Sequence, residues 1–342
     1  MTARRCVICC ATALSLAGLG CGKKPVASGP PPELTGLAVV PASAEVVVGI
    51  DLKKLDDSPV IDRAVEQLLA SDMVLAERWQ RLRDECKIDL VKQVRRIMLA
   101  LGPPRTGPSP GTGPVLMVAV GSLAEADLKD CVTKLVGAGG GTLTGTAVGG
   151  RTLYLAKDGN RTMYFAYSSP DTVVLGSDEA YLTEALGSGK KAPDNPDLTA
   201  WGKLVNQNSP VWAVGRTDLR VRDGLVQLTG GKVADGPIAF AASGDFLDGA
   251  KLQLSAVMKT AEQAKSLESY VKSELALLSA AAQLKSLGSV VGKLELSTED
   301  SVVHFRIALT VADVNQLLST LDVASMPAQD RAPAPSPGSG AK

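Results

Sequence analysis

The chain has 342 residues, of which 45% are hydrophobic and 21% charged, enough for two ordinary domains with a sizeable apolar core. Its 36 basic and 36 acidic side chains cancel, so it lacks the long-range positive field on which nucleic-acid binding depends. Aromatic residues make up only 4% of the chain, so the core must be built mainly from aliphatic side chains.

Residues 1–20 have the pattern of a bacterial export signal. Arg4 and Arg5 give a positive start, and an uncharged stretch follows from Cys6 to Leu19. This stretch is shorter than the roughly 20 apolar residues of a permanent membrane-spanning helix, and it suits a signal peptide. It ends in small residues and Cys21, which resembles the lipobox of bacterial lipoproteins, where the cysteine is lipidated and becomes the new N-terminus. The alternatives are ordinary cleavage nearby and a retained anchor.

The residues around the signal suggest where the protein resides. Gly22 stands where an inner-membrane retention signal would have aspartate, so we expect an outer-membrane anchor with the protein facing the periplasm. Residues 21–36, with three consecutive prolines, are expected to form a tether, and residues 327–342 a disordered tail. Without Arg4 and Arg5 the processed chain is about two charges negative.

Two cysteines remain once the signal is removed and Cys21 is lipidated. Cys86 and Cys131 are an even pair, which in an oxidising compartment is a candidate disulfide. The alternative is two separate buried thiols. A bond that closes a loop of this length would stabilise the fold by roughly 4 kcal/mol.

The first half of the folded region is expected to cover residues 37–189. Short β-branched and apolar runs predict its strands at 45–51, 96–101, 115–120, 142–147, 152–156, 162–167 and 172–175. Helical periodicity predicts its helices at 59–86, 124–137 and 178–187. Ser58 and Pro59 supply an N-cap and a first-turn proline for the first helix.

A Pro- and Asp-rich break at 190–197 is the best candidate for a boundary, and a second half is expected at 198–326. Its predicted strands are 211–216, 237–243, 249–258, 290–297 and 301–310, and its predicted helices are 219–228, 260–287 and 312–321. Both halves open with a similar strand and close with a hairpin and a short helix. This pattern predicts an α+β fold of largely antiparallel sheets covered by helices, in two similar halves.

Few residues suggest catalysis. His304, the single histidine, alternates with apolar residues in a strand, so we expect it to be an exposed strand residue. Ser269 and Lys272 share the spacing of a serine–lysine pair, without the companion motifs of serine β-lactamases, and a solvated helix face is the better interpretation. The glycines of 137–142 follow a helix and precede a strand, which is typical of a helix end rather than a phosphate loop.

Two other clusters have structural interpretations. Asp51, Asp56 and Asp57 are interleaved with lysines, which favours neutralised turn residues over a metal site. The aromatic residues of 164–167 alternate in a strand, with Phe165 and Tyr167 on one face and Tyr164 on the other, which favours a core and its rim over the alternative of a partner-binding face. No metal-ligand spacing remains outside the signal, so we expect neither a metal nor a cofactor.

The lipobox, the proline tether and the segment from Pro41 to Asp51 leading to Ser58-Pro59 together resemble uncharacterised exported lipoproteins of bacteria. The resemblance implies no activity. From these features we expect a non-enzymatic envelope protein, held at the membrane by its lipid, that binds another envelope protein or has a structural role. The alternatives are a carrier of an apolar ligand or lipid and, as the third hypothesis, an enzyme with carboxylates in a cleft.

Overall fold

The structure is a computed structural model that describes residues 33–104, 113–282 and 288–317. The predicted signal, Cys21, most of the tether and the tail lie outside the described residues, and so do residues 318–326 of the second half. Within the described ranges, twelve strands form one antiparallel sheet. None of the described helices is long and apolar enough to cross a membrane.

The first half contributes seven strands, each with the apolar alternation or apolar run that predicted it. They are β1 (Val46–Asp51), β2 (Val94–Leu101), β3 (Val115–Gly121), β4 (Thr142–Val148), β5 (Arg151–Asp158), β6 (Arg161–Ser169) and β7 (Thr172–Gly176). The second half contributes β8 (Val211–Arg216), β9 (Ala239–Asp245), β10 (Ala250–Val257), β11 (Leu294–Glu299) and β12 (Val302–Leu309).

Nine labelled helices accompany the described strands. They are α1 (Pro59–Ser71), α2 (Met73–Asp84), α3 (Leu90–Gln93), α4 (Glu125–Ala138), α5 (Glu179–Leu186), α6 (Pro196–Gly202), α7 (Leu219–Leu228), α8 (Ala261–Ala282) and α9 (Gly288–Val291). Residues 311–317 are also helical. The observed elements confirm the α+β prediction.

The strand order is β11-β12-β10-β9-β8-β1-β2-β3-β7-β6-β5-β4. Outward from the central β1–β8 pair, the first half runs β1, β2, β3 and then its last strand, β7. The second half runs β8, β9, β10 and then its last strand, β12. The halves are therefore similar in topology, and they lie side by side in one sheet. The first half has two more strands than the second, and its hairpins turn at Gly149-Gly150 and Gly159-Asn160.

The sheet has two faces, defined here by residues that are paired across β1, β2 and β3. Face A carries Val47, Ala100 and Leu116, and face B carries Val48, Leu99 and Met117. Residues 36–44, α5 and α6 cover face A at the first half and the centre, where the largest buried cluster lies. On face B, α4 covers the first half and α8 covers part of the second.

Three boundaries differ from the sequence prediction. The helix expected at 59–86 is two helices, interrupted at Asp72, whose extended backbone ends α1. The strand expected to start at 290 starts at Leu294, because α9 occupies 288–291. The break at 190–197 is packed structure: Asn195 caps α6 through its side chain and donates to the carbonyl of Ala42 at 2.8 Å.

Candidate functional site

His304 is buried, contrary to the expectation of an exposed strand residue. It is 9% exposed and lies on face A of β12, opposite Ser255 of β10. The Ser255 Oγ and His304 Nδ1 atoms are 2.9 Å apart, and Ser255 is fully buried. Burial, aided by the Arg306 cation, lowers the pKa of His304 below its usual value. The pair is a satisfied polar contact within the sheet, because a substrate cannot reach the serine.

Of the three aspartates near the end of β1, Asp51 is neutralised by neighbouring cations, as expected. Asp51 Oδ2 lies 3.7 Å from Lys54 Nζ and 3.4 Å from Arg96 Nε, and Asp56 and Asp57 are exposed. Within the described ranges, no group of three or more His, Cys, Asp or Glu side chains is arranged to hold a metal ion.

The remaining sequence motifs have the structural roles expected of them. Ser269 and Lys272 are exposed on α8, where Lys272 donates to Glu268 at 2.7 Å. Gly139 ends α4, and Gly140 has a φ of 75°, so the glycines of 137–142 form a helix terminus. Phe165 stacks on Tyr154 with 4.7 Å between ring centroids.

Cys86 and Cys131 form a disulfide, the pairing expected from the sequence. The bond links the segment after α2 to the middle of α4, above face B. Cys131 is buried beside Val132 and Leu123, and Cys86 packs against the same cluster. The disulfide therefore fixes the position of α4 and of the segment after α2 on the sheet of the first half.

An apolar groove of about 360 Å³ lies on face B of the second half. Its floor is formed by β8, β9, β10 and β12, and its wall by Phe246 after β9 and Leu294 of β11. Its lining side chains on face B are aliphatic or aromatic: Val211, Ala213, Ala242, Phe246, Leu252, Leu254, Leu294, Phe305 and Ile307. None of the described residues that line it is ionisable, so the groove has no group for acid–base chemistry.

The groove is open because α8 leaves part of face B uncovered in the second half. Ala256 and Val303 are buried against Ala264 and Leu267 of α8. Farther along β10, Leu252 is 39% exposed and Leu254 is 43% exposed. Leu101 and Val115, paired on face B of β2 and β3, are also exposed, at 38% each. A single surface leucine is ordinary, whereas a concave apolar patch is typical of binding sites.

Helix α1 begins at the rim of this groove. Its N-cap Ser58 donates to the carbonyl of Phe246 at 2.5 Å, and Val60 packs in a cluster with Phe246 and Ile307. Arg63 of α1 also donates to Asn315 Oδ1 at 3.0 Å, and farther along the helix Val65 and Leu68 are 41% and 54% exposed. An amphipathic helix with an exposed apolar side therefore starts beside an apolar groove.

Face A has clefts of a different character. Clefts of about 300 and 280 Å³ lie on either side of Trp212. The first is bordered by Asp51 and its two cationic partners, so its charges are already paired. Another cleft of about 430 Å³ has a mixture of Asp245, Lys251, Glu295 and Arg306. The first and third clefts are bordered by charged side chains, and the second, which is mainly apolar, lies between the sheet and Leu198 and Gly202 of α6.

Sequence reasoning missed the groove, although part of its signal was present. In β10 the apolar Leu252, Leu254 and Ala256 alternate with the polar Lys251, Gln253 and Ser255, which predicts one apolar face. The sequence could not show that α8 packs over Ala256 and Val303 while Leu252 and Leu254 stay exposed.

No protein-family model and no curated protein sequence matches this chain. One solved structure, titled "Structure of crystal form I of TP0453", is similar in fold, with a TM-score of 0.44 and 11% sequence identity. The match covers 84% of this chain and 98% of that chain. A similarity of this size does not transfer a function.

Proposed function

We propose that this protein is a membrane-tethered envelope lipoprotein that acts by binding, without catalysis. The groove on face B would receive an apolar segment of another envelope protein. The observation that carries the proposal is the groove itself, with its apolar lining and its half-exposed Leu252 and Leu254. The lipobox ending at Cys21 supports the tether, and the Cys86–Cys131 disulfide supports an oxidising compartment.

The openness of the groove favours a protein partner over a small ligand. A pocket for a small molecule buries 70–90% or more of the ligand surface. Leu254, on the floor of this groove, is still 43% exposed, so a ligand resting there would keep one side in water. A partner protein, in contrast, covers an open groove with its own surface.

Site-specific photo-crosslinking in intact envelopes tests this proposal. A photoreactive amino acid replaces Leu254, and the control places it at Gln253, the next residue of β10, which belongs to face A. We expect a reproducible protein adduct from position 254 and a much weaker one from position 253. Equal adducts at both positions, or adducts with lipid alone, would contradict a protein-binding groove.

The anchor is tested separately. Cys21→Ala removes the only thiol at which the lipobox could be lipidated, so we expect the protein to move from the membrane fraction to the soluble fraction. If the variant stays in the membrane, the lipid tether is wrong, and the result says nothing against the groove.

A carrier of an apolar ligand is the second candidate, and the position of α1 favours it. The exposed apolar side of α1 starts at the groove rim and would enclose a ligand if the helix closed over the groove. Titration of the full chain with a fluorescent fatty acid tests this candidate, with Leu254→Asp as the variant and Gln253→Asp as the control. Saturable binding that only Leu254→Asp abolishes would place the carrier role first.

A further inference from the structure

The two edges of the sheet differ in the features that normally prevent strand pairing. At one edge, β11 carries the exposed acidic residues Glu295 and Glu299. At the other, the seven residues of β4 include no charged residue and no proline. Natural proteins protect exposed edges with charges, prolines or bulges, and β4 has none of these.

The backbone of β4 is regular and open on its outer side. It pairs with β5 without a register shift, from Thr142 opposite Lys157 to Val148 opposite Arg151. Within the described ranges, its strand pairing is with β5 alone. Every second residue of such a strand turns its N–H and C=O away from its neighbour. These groups are therefore available to another strand.

The side chains of β4 leave this edge accessible. Leu143 and Val148 are half-buried in the cores of face B and face A, so they fix the strand in place. The central residues 144–147 are exposed. A Cβ atom on Gly145 would lie 3.4 Å from a ring atom of Tyr154, so the Tyr154 ring occupies the space beside this glycine.

We propose that β4 is a dimerisation edge that pairs antiparallel with β4 of a second copy of this chain, continuing the sheet across a twofold axis. In a pairing centred on Gly145, Thr144 faces Thr146 of the other copy, and Leu143 faces Ala147. Threonine pairs are favourable across strands, and no charged side chain is placed opposite another. The strand has no charged residue that would favour a different protein of opposite charge. Its residues pair with those of a second copy, as a twofold interface requires.

The full chain, purified from envelopes in detergent, tests this inference by light scattering coupled to size exclusion over a range of concentrations. We expect a protein mass twice that of one chain at high concentration. Thr144→Lys/Thr146→Lys places like charges directly opposite each other and should give the mass of one chain. The control, Ser297→Lys on the exposed side of β11, should remain a dimer. A wild-type chain that stays monomeric, or a double variant that still dimerises, would overturn the proposal.

Charge reversal distinguishes self-pairing from a general loss of structure. Thr144→Glu/Thr146→Glu alone should also be monomeric, and an equal mixture with the lysine variant should recover the dimer mass. Failure of the mixture to associate would contradict antiparallel pairing through β4. As a measurement without added charge, a mixture of Thr144→Cys and Thr146→Cys chains should form an intermolecular disulfide on mild oxidation. These tests of dimerisation do not depend on the groove, because the groove lies in the second half and β4 lies in the first.

Discussion

Gly49 of β1 lies against the indole ring of Trp212, its partner on β8. A Cβ atom at position 49 would come within 2.3 Å of Trp212 Cε2 and Nε1. Trp212 is 7% exposed and packs in the main core cluster, so an added Cβ atom at position 49 fits only if the ring leaves that packing. The glycine therefore allows the two halves to approach at the centre of face A.

Gly49→Ala should destabilise the protein by about 1–3 kcal/mol, the usual range for overpacking a core. Chemical denaturation followed by circular dichroism measures the loss. The matched control is Gly189→Ala, where an added Cβ meets nothing within 4 Å, and it should change the stability little. In a Trp212→Ala background the penalty at position 49 should disappear; a penalty that persists would mean that the indole is not its cause.

His304 should give the fold a specific pH dependence. Because burial lowers its pKa in the folded state, the unfolded chain binds a proton there more readily near the ordinary value of about 6.5. The contribution of His304 to stability is therefore greatest above that value and falls as the pH drops below it. His304 is the single histidine, so its imidazole NMR signals can be titrated without ambiguity.

We expect a titration midpoint below 6.5, and a smaller gain in the free energy of unfolding between pH 5 and 7 in His304→Asn than in wild type. The exposed Arg306 cation also lowers the pKa of His304, so Arg306→Gln is the control for this charge and should raise the midpoint slightly. A wild-type midpoint above 6.5 would contradict the burial argument.

At the scale of elements, the disulfide joins the segment after α2 to the middle of α4. It closes a sequence separation of 45 residues, for which loop entropy predicts a stabilisation of roughly 4 kcal/mol. Cys86→Ala/Cys131→Ala should lower the free energy of unfolding by that order, as measured by urea denaturation. Reduction of the wild-type protein is the matched control and should give a similar loss. If neither treatment moves the midpoint, the bond does not constrain the unfolded chain.

The strands were predictable because each carries its own alternation or apolar run. The strand at Val211–Arg216 and the helix at Leu219–Leu228 match their predicted bounds, and most other bounds agree within two residues. Helix α6 was missed because its Pro- and Asp-rich start was interpreted as a linker. Asn195 and Pro196 in fact form an N-cap and a first-turn proline, the same signal that located α1.

The site was less predictable than the fold. A binding groove depends on which strands become neighbours and on which part of the sheet a helix covers, and neither is encoded in a local pattern. The burial of His304 has the same origin, because it depends on pairing with Ser255 across 49 positions of sequence. The sequence identified the disulfide, since Cys86 and Cys131 are the two cysteines that follow Cys21.

At the scale of the whole molecule, β1 belongs to both halves, because it pairs with β2 of the first half and β8 of the second. Residues from both sides of this junction share one buried cluster, including Val47, Ala100 and Val214. The sequence suggested two halves, and in the structure they are not separable along the predicted boundary.

We therefore expect the residues of the sheet to unfold in one cooperative transition. Calorimetry should give a calorimetric enthalpy close to the van't Hoff enthalpy. Two peaks, or a calorimetric enthalpy about twice the van't Hoff enthalpy, would mean that the halves unfold independently. Ala213→Pro, which removes a backbone donor from the central pairing, should lower the transition temperature of the whole protein rather than split the peak. Ser297→Pro on the outer strand β11 is the comparison and should have a smaller effect.

The pairing of β1 with β8 also sets an order of events during synthesis. Val48 pairs with Ala213, 165 positions later in the chain, whereas its other partner, Leu99, is made much earlier. Until β8 emerges, the Val-Val-Val run of β1 is an unprotected edge, of the kind that associates with other chains. A contact this distant in sequence also closes slowly. The strand at the centre of the finished sheet is thus the one that most needs protection while the chain is being made.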